Sequence, residues 1–106
     1  AISIPIFTSQ LHKARVATDW ANLRAYYAEI QADFISTGEY NKKVPYEDDN
    51  PANSKCEEIT FLNGQKVKMQ EGFFWVQEDT NRKGYTIAYY CNSGDTKCEL
   101  ILESSS

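Results

Sequence analysis

One periodicity limits what this chain can fold into more than any other feature. Val16, Trp20, Leu23, Tyr27, Ile30 and Phe34 are large and apolar, and they stand 4, 3, 4, 3 and 4 residues apart. Side chains at that spacing share one face of an α-helix. Polar residues fill the turns between them, among them Lys13, Arg15, Asp19, Arg24, Glu29 and Asp33. Arg15 and Asp19 lie one turn apart and are expected to pair on the surface, with little energy at stake. Ala21, Ala25, Ala28 and Ala32 make a second stripe of small residues, either a contact between subunits or a surface that merely favours helix. The pattern predicts a helix over 5–36, stopped by Gly38. At about 1.5 Å per residue such a helix is roughly 48 Å long. A compact chain of this length has a radius of gyration of only roughly 13 Å. The half that carries the large stripe is therefore expected to pack on its own domain, and the apolar start, 2–11, to project. A projecting apolar helix end needs a partner or a membrane.

After the helix the pattern changes. Residues 37–57 are rich in turn formers and acids and read as a long connecting loop, a feature that commonly carries function. Tyr40 and Tyr46 are its natural contact residues. Strand signals follow in quick succession. Residues 58–62 and 65–70 flank Asn63-Gly64, the signature of a two-residue hairpin. Residues 73–78, 85–91 and 98–103 are the next strands, separated by polar turns. Consecutive strands with short turns pair antiparallel. The fold class is α+β: one long N-terminal helix (1–36), a loop (37–57), and a four- to five-stranded antiparallel sheet (58–103) covered on one face by the helix. All of it makes a single domain of 106 residues.

Charge and chemistry narrow the function classes. The net charge of −4 argues against binding nucleic acid or an anionic membrane surface unaided, because both need clustered Lys and Arg. There is a single His, and no Ser or Cys nucleophile stands near it in sequence. No glycine-rich phosphate loop follows a strand, and the neighbouring Glu57 and Glu58 point to opposite faces if they lie on a strand. No catalytic residue, cofactor or metal is implied, and the chain reads as a structural protein rather than an enzyme. Glu47-Asp48-Asp49-Asn50 has no recognised calcium-loop spacing and reads as a solvated acidic run.

The opening residues, and the order of elements after them, resemble the type IV pilins and pseudopilins. The resemblance is carried by Ile4-Pro5-Ile6-Phe7, then Gln10-Leu11-His12-Lys13-Ala14-Arg15, then Ala17-Thr18-Asp19, Ala21-Asn22-Leu23-Arg24 and Tyr27-Ala28-Glu29. The details are most similar to pilins of Gram-positive bacteria. It covers about the first 35 residues closely and the rest in element order only. It implies a pilin-like fold, preceded by an apolar segment of about 20 residues that holds the subunit in the cytoplasmic membrane before assembly. It also implies that the partners are copies of the same chain, packed through their N-terminal helices into a cell-surface filament. Ile4, Pro5, Ile6, Phe7 and Leu11 are then the assembly residues, with Pro5 able to kink the stalk. Val16, Trp20, Leu23, Tyr27, Ile30 and Phe34 are the helix–sheet core. The alternatives are a minor pilin or secretion or competence pseudopilin, and a secreted binding module that grips through the loop.

Three cysteines remain, at 56, 91 and 98. Cys91 and Cys98 flank a turn and meet at its base if the two strands pair, so a disulfide between them is the first expectation. Many pilins carry such a C-terminal disulfide loop, although Gram-positive members often lack one. Cys56 with either partner, or thiols throughout, are the alternatives. Zinc binding with His12 is set aside, since the projecting helix would hold His12 far from the cysteines.

Overall fold

The computed structural model describes residues 4–44, 55–79, 84–92 and 98–103. A single helix, α1, runs over Ile4–Thr37. Pro5 falls in its first turn, where a missing N–H costs no intrahelical bond. The helix stops where expected. Gly38 adopts a left-handed φ of 76°, and its N–H donates to the Phe34 carbonyl at 2.7 Å, the single back-bond of an αL cap. Thr37 Oγ1 donates to the Asp33 carbonyl at 3.0 Å and secures the same last turn.

The buried face of α1 differs from the one read off the apolar residues. Val16, Asp19, Leu23, Tyr26 and Ile30 are buried, whereas Trp20, Tyr27 and Phe34 are only partly so. Val16, Leu23 and Ile30 belong to both faces, and the centre of the stripe has moved by about 40° around the helix. The cause is Asp19. Hydropathy places an aspartate on the solvent face, so the apolar pattern flanks Val16, Leu23 and Ile30 with Trp20, Tyr27 and Phe34, whereas the structure flanks them with Asp19 and Tyr26.

Five strands follow: β1 (Glu58–Thr60), β2 (Lys66–Lys68), β3 (Gly72–Asp79), β4 (Gly84–Cys91) and β5 (Leu100–Glu103). They form two antiparallel sheets, a β1–β2 hairpin and a three-stranded β3-β4-β5 meander, in place of the single sheet expected. An isolated bridge joins the two: Cys56 N–H donates to the Phe74 carbonyl at 2.7 Å and Phe74 N–H to the Cys56 carbonyl at 2.9 Å. The hairpin turn is also wider than two residues. Thr60 pairs with Lys66, and Gly64 takes a φ of 96° while its N–H donates to the Phe61 carbonyl at 2.8 Å. Asn63 Oδ1 accepts the Gln65 N–H at 2.9 Å, so the asparagine caps the turn from its side chain. The turn docks on the helix, because Leu62 N–H donates to Glu29 Oε1 at 2.7 Å.

One face of the meander receives α1. Along β4, Tyr85, Ile87, Tyr89 and Cys91 are buried, and Phe74 and Val76 from β3 join them. Tyr26 meets Phe61 and Phe74 edge-on, with centroids 5.7 Å and 6.4 Å apart. At the far end of the helix Tyr40 packs on Phe34 and Tyr85 with centroids at 4.6 Å and 5.1 Å, and its hydroxyl donates to the Gly84 carbonyl at 2.9 Å. Tyr40 is therefore half-buried at the edge of the core. Tyr46 and the acidic run 47–50 lie outside the described residues.

The buried phenols make a pH prediction. Burial is the main cause that pushes both Tyr26 and Tyr89 far above the usual phenol range. The Tyr26 hydroxyl has no hydrogen-bond partner among the described residues. The folded state thus keeps protons that the unfolded chain releases near pH ~10, so stability is complete below that point and falls as pH rises past it. Urea unfolding followed from neutral to strongly alkaline pH should show that onset. Tyr26→Phe should lessen the alkaline loss and, near neutrality, raise stability by about 1 kcal/mol, because it removes a buried unsatisfied group.

Candidate functional site

The densest polar chemistry lies where α1 crosses the start of β3, the end of β4 and the approach to β5. Asp19 is its structural centre. Its carboxylate is fully buried and accepts three hydrogen bonds: Gln70 N–H at 2.8 Å, Glu71 N–H at 2.9 Å and the Tyr89 hydroxyl at 2.7 Å. Two backbone donors just ahead of β3 are thereby satisfied by the helix. The surface pair expected between Arg15 and Asp19 is not made. Arg15 Nη1 instead meets Glu71 Oε1 at 3.3 Å.

Glu71 carries the arrangement outward. Its Oε2 lies 3.2 Å from His12 Nδ1. The other imidazole nitrogen, Nε2, lies 3.6 Å from Cys98 Sγ. Cys91, the last residue of β4, completes the group: the ligand atoms of His12, Cys91 and Cys98 all fall within 4.8 Å of one another. Both cysteines are buried, and the His12 side chain is 35% exposed. Trp20 Nε1 donates to the Cys98 carbonyl at 2.9 Å, which fixes that cysteine's backbone to the helix.

This corner overturns two expectations. His12 is not remote from the cysteines, because the sheet reaches further along the helix than the apolar stripe implied. The signal was present in spacing: His12, Val16, Asp19 and Leu23 stand 4, 3 and 4 apart and share the buried face. The disulfide between Cys91 and Cys98 is not formed, and all three cysteines are thiols. The two residues do converge at the base of their turn, as the strand pairing required. Their sulfurs, however, face an imidazole as well as each other. Cys56 stands elsewhere, beside Phe74, and burial pushes its thiol up.

The order of thiol, imidazole and carboxylate in Cys98, His12 and Glu71 is also the order that activates a nucleophilic cysteine. Cys98 is 5% exposed, however, and a nucleophile must meet its substrate. No family model, curated protein or solved structure matches this chain. The helix–sheet corner and its chemistry therefore rest on the geometry alone.

The remaining assembly candidates sit apart from this corner. Ile4, Pro5, Ile6 and Phe7 occupy the first turns of α1, and their side chains lie outside the described residues. Leu11 is 38% exposed. No helix among the described residues is long and apolar enough to cross a membrane. Ala21, Ala25, Ala28 and Ala32 are all exposed, on the side of α1 that faces away from the sheet. On the outer face of the meander, Phe73 stacks on Trp75 at 5.6 Å and Tyr90 lies 5.3 Å from Trp75, with Lys55 Nζ 4.3 Å over the Phe73 ring.

Proposed function

We propose that this chain is the structural subunit of a type IV pilus-like surface filament, built by packing copies of α1 against one another. The observation that carries the reading is the relation of α1 to the sheet. α1 is 34 residues long, about 51 Å at about 1.5 Å per residue, while the two shorter extents of the molecule are 26 Å. The molecule is correspondingly elongated, 57 × 26 × 26 Å, with a radius of gyration of 15.2 Å.

A repeated contact between one patch of a subunit and a different patch of the next, with a rotation and a rise, generates an open helical filament. In this reading the apolar residues that open α1 in sequence would supply such a patch, and the exposed alanines allow helix backbones to approach closely. The acidic heads would face solvent at the cell surface. A membrane-embedded upstream segment would hold the subunit before assembly. A secreted binding module working through the loop remains the alternative reading, and the observation that favours it is the outer aromatic row of Phe73, Trp75 and Tyr90, on which Lys55 at the end of the loop packs.

Immunogold labelling decides between them. Antibodies raised against this domain should decorate filaments sheared from the source cells along their whole length. Labelling confined to soluble secreted material would sink the filament reading. Leu11→Glu should reduce filament yield severely, since it places an unpaired charge among bundled helices, while leaving the isolated domain folded.

A further inference from the structure

We propose that His12, Cys91 and Cys98 bind a zinc ion, with Glu71 as the positioning residue for the imidazole. The inference does not depend on the filament reading. It starts from donor chemistry: paired thiolates and an imidazole select a soft or borderline ion over magnesium or calcium.

Geometry agrees. In a tetrahedral site with Zn–S near ~2.3 Å and Zn–N near ~2.05 Å, a sulfur and a nitrogen stand about 3.6 Å apart. Cys98 Sγ and His12 Nε2 are separated by 3.6 Å. The Cys91 sulfur lies within 4.8 Å of both, so a small side-chain adjustment closes the third corner. The His12 side chain is 35% exposed, so the site lies close to solvent, and a water molecule would take the fourth position.

The surroundings are those of a built site. Glu71 Oε2 lies 3.2 Å from His12 Nδ1. With the proton on Nδ1, the imidazole donates to that carboxylate and turns the Nε2 lone pair toward the sulfurs, the arrangement that orients zinc-bound histidines. Glu71 is held in turn by its backbone N–H to Asp19, and Cys98 by its carbonyl to Trp20. The ligands come from α1, the end of β4 and the approach to β5, so the ion would tie the helix to two strands at the point where it leaves the sheet. Binding releases the protons of both thiols to solvent and changes no oxidation state.

The test uses the reduced chain under anaerobic conditions, titrated with Co²⁺ as a spectroscopic probe and then with Zn²⁺. One Co²⁺ per chain should bind, with thiolate charge-transfer absorption and the intense visible bands of a tetrahedral centre, and Zn²⁺ should displace it. Zinc should also raise the melting temperature by several degrees. His12→Ala changes a partly exposed position and should stay folded by circular dichroism, yet lose the Co²⁺ spectrum. Glu71→Gln should weaken affinity by about 10–100-fold. Cys56→Ser should bind as the parent does. The proposal is overturned if the reduced chain takes up no stoichiometric metal, or if His12→Ala binds as tightly as the parent. It is likewise overturned if the chain recovered from its source carries a Cys91–Cys98 disulfide. Alkylation of Cys98 at the same rate with and without Zn²⁺ would also overturn it and return attention to the thiol as a nucleophile.

Discussion

Asp19→Ala is expected to cost about 3–5 kcal/mol, enough to unfold much of a domain whose total stability is of order 5–15 kcal/mol. The size follows from what the carboxylate serves. It is fully buried and accepts from Gln70 N–H, Glu71 N–H and the Tyr89 hydroxyl. Alanine leaves all of these donors in the interior without their acceptor, and each unsatisfied group costs roughly 1–3 kcal/mol. Tyr89→Phe removes one donor together with its share of the bond and should cost only about 1 kcal/mol. Asp19→Asn should fall between, because its amide retains one oxygen but turns a donor toward other donors. Arg15→Ala, whose partner Glu71 is reached across a partly solvated contact, should change stability by less than ~0.5 kcal/mol. Urea unfolding of these variants at neutral pH gives the ranking directly. An Asp19→Ala protein within ~1 kcal/mol of the parent would mean that the strand entry finds other acceptors.

Gly72→Ala should also be strongly destabilising, by about 3 kcal/mol. Alanine in a strand interior ordinarily improves on glycine by roughly 0.5–1 kcal/mol, since the unfolded chain loses less freedom. Here the sign reverses. A Cβ on Gly72 would collide with the Tyr90 carbonyl oxygen and stand 2.7 Å from the Tyr89 hydroxyl. The carbonyl belongs to the backbone of β4, so relief requires opening the ladder at the Gly72–Cys91 pair. The hydroxyl is the one that donates to Asp19, so the same methyl disturbs that hydrogen bond too. Gly64→Ala makes the useful contrast. Nothing lies within 4 Å of its would-be Cβ, and only the left-handed φ of 96° opposes it, at about 1 kcal/mol. Thermal melts of the two variants separate steric from conformational cost, and equal melting temperatures would refute the collision argument.

Much of the fold was legible because it follows from local rules. The helix was expected over 5–36 and runs over Ile4–Thr37, with Gly38 as its stop. Its 3.6-residue period and a glycine that accepts positive φ are properties of short stretches of chain. The antiparallel meander was legible for the same reason, since β-formers alternate with polar turns. What failed did so where a contact crosses the chain. Asn63-Gly64 marked a turn correctly, but the docking of Leu62 on Glu29 and the Asn63 cap accompany a wider loop than the dipeptide implied. The packing of Tyr40 on Tyr85 has no local signature, because it joins residues far apart in sequence.

The sequence by itself determined the order of elements, the length of the helix and the convergence of Cys91 with Cys98, because each depends on residues close along the chain. The tertiary structure alone decided which helix face is buried and what stands beside the sulfurs. Asp19 enters the core only because the backbone ahead of β3 and a phenol from β4 bring it donors. His12 meets Cys98 only because the sheet lies across the helix at that turn, 86 residues away in sequence. A charge in a core, or a ligand set drawn from three elements, has no local signature. Its favourable energy exists only once distant groups have been brought within hydrogen-bonding reach.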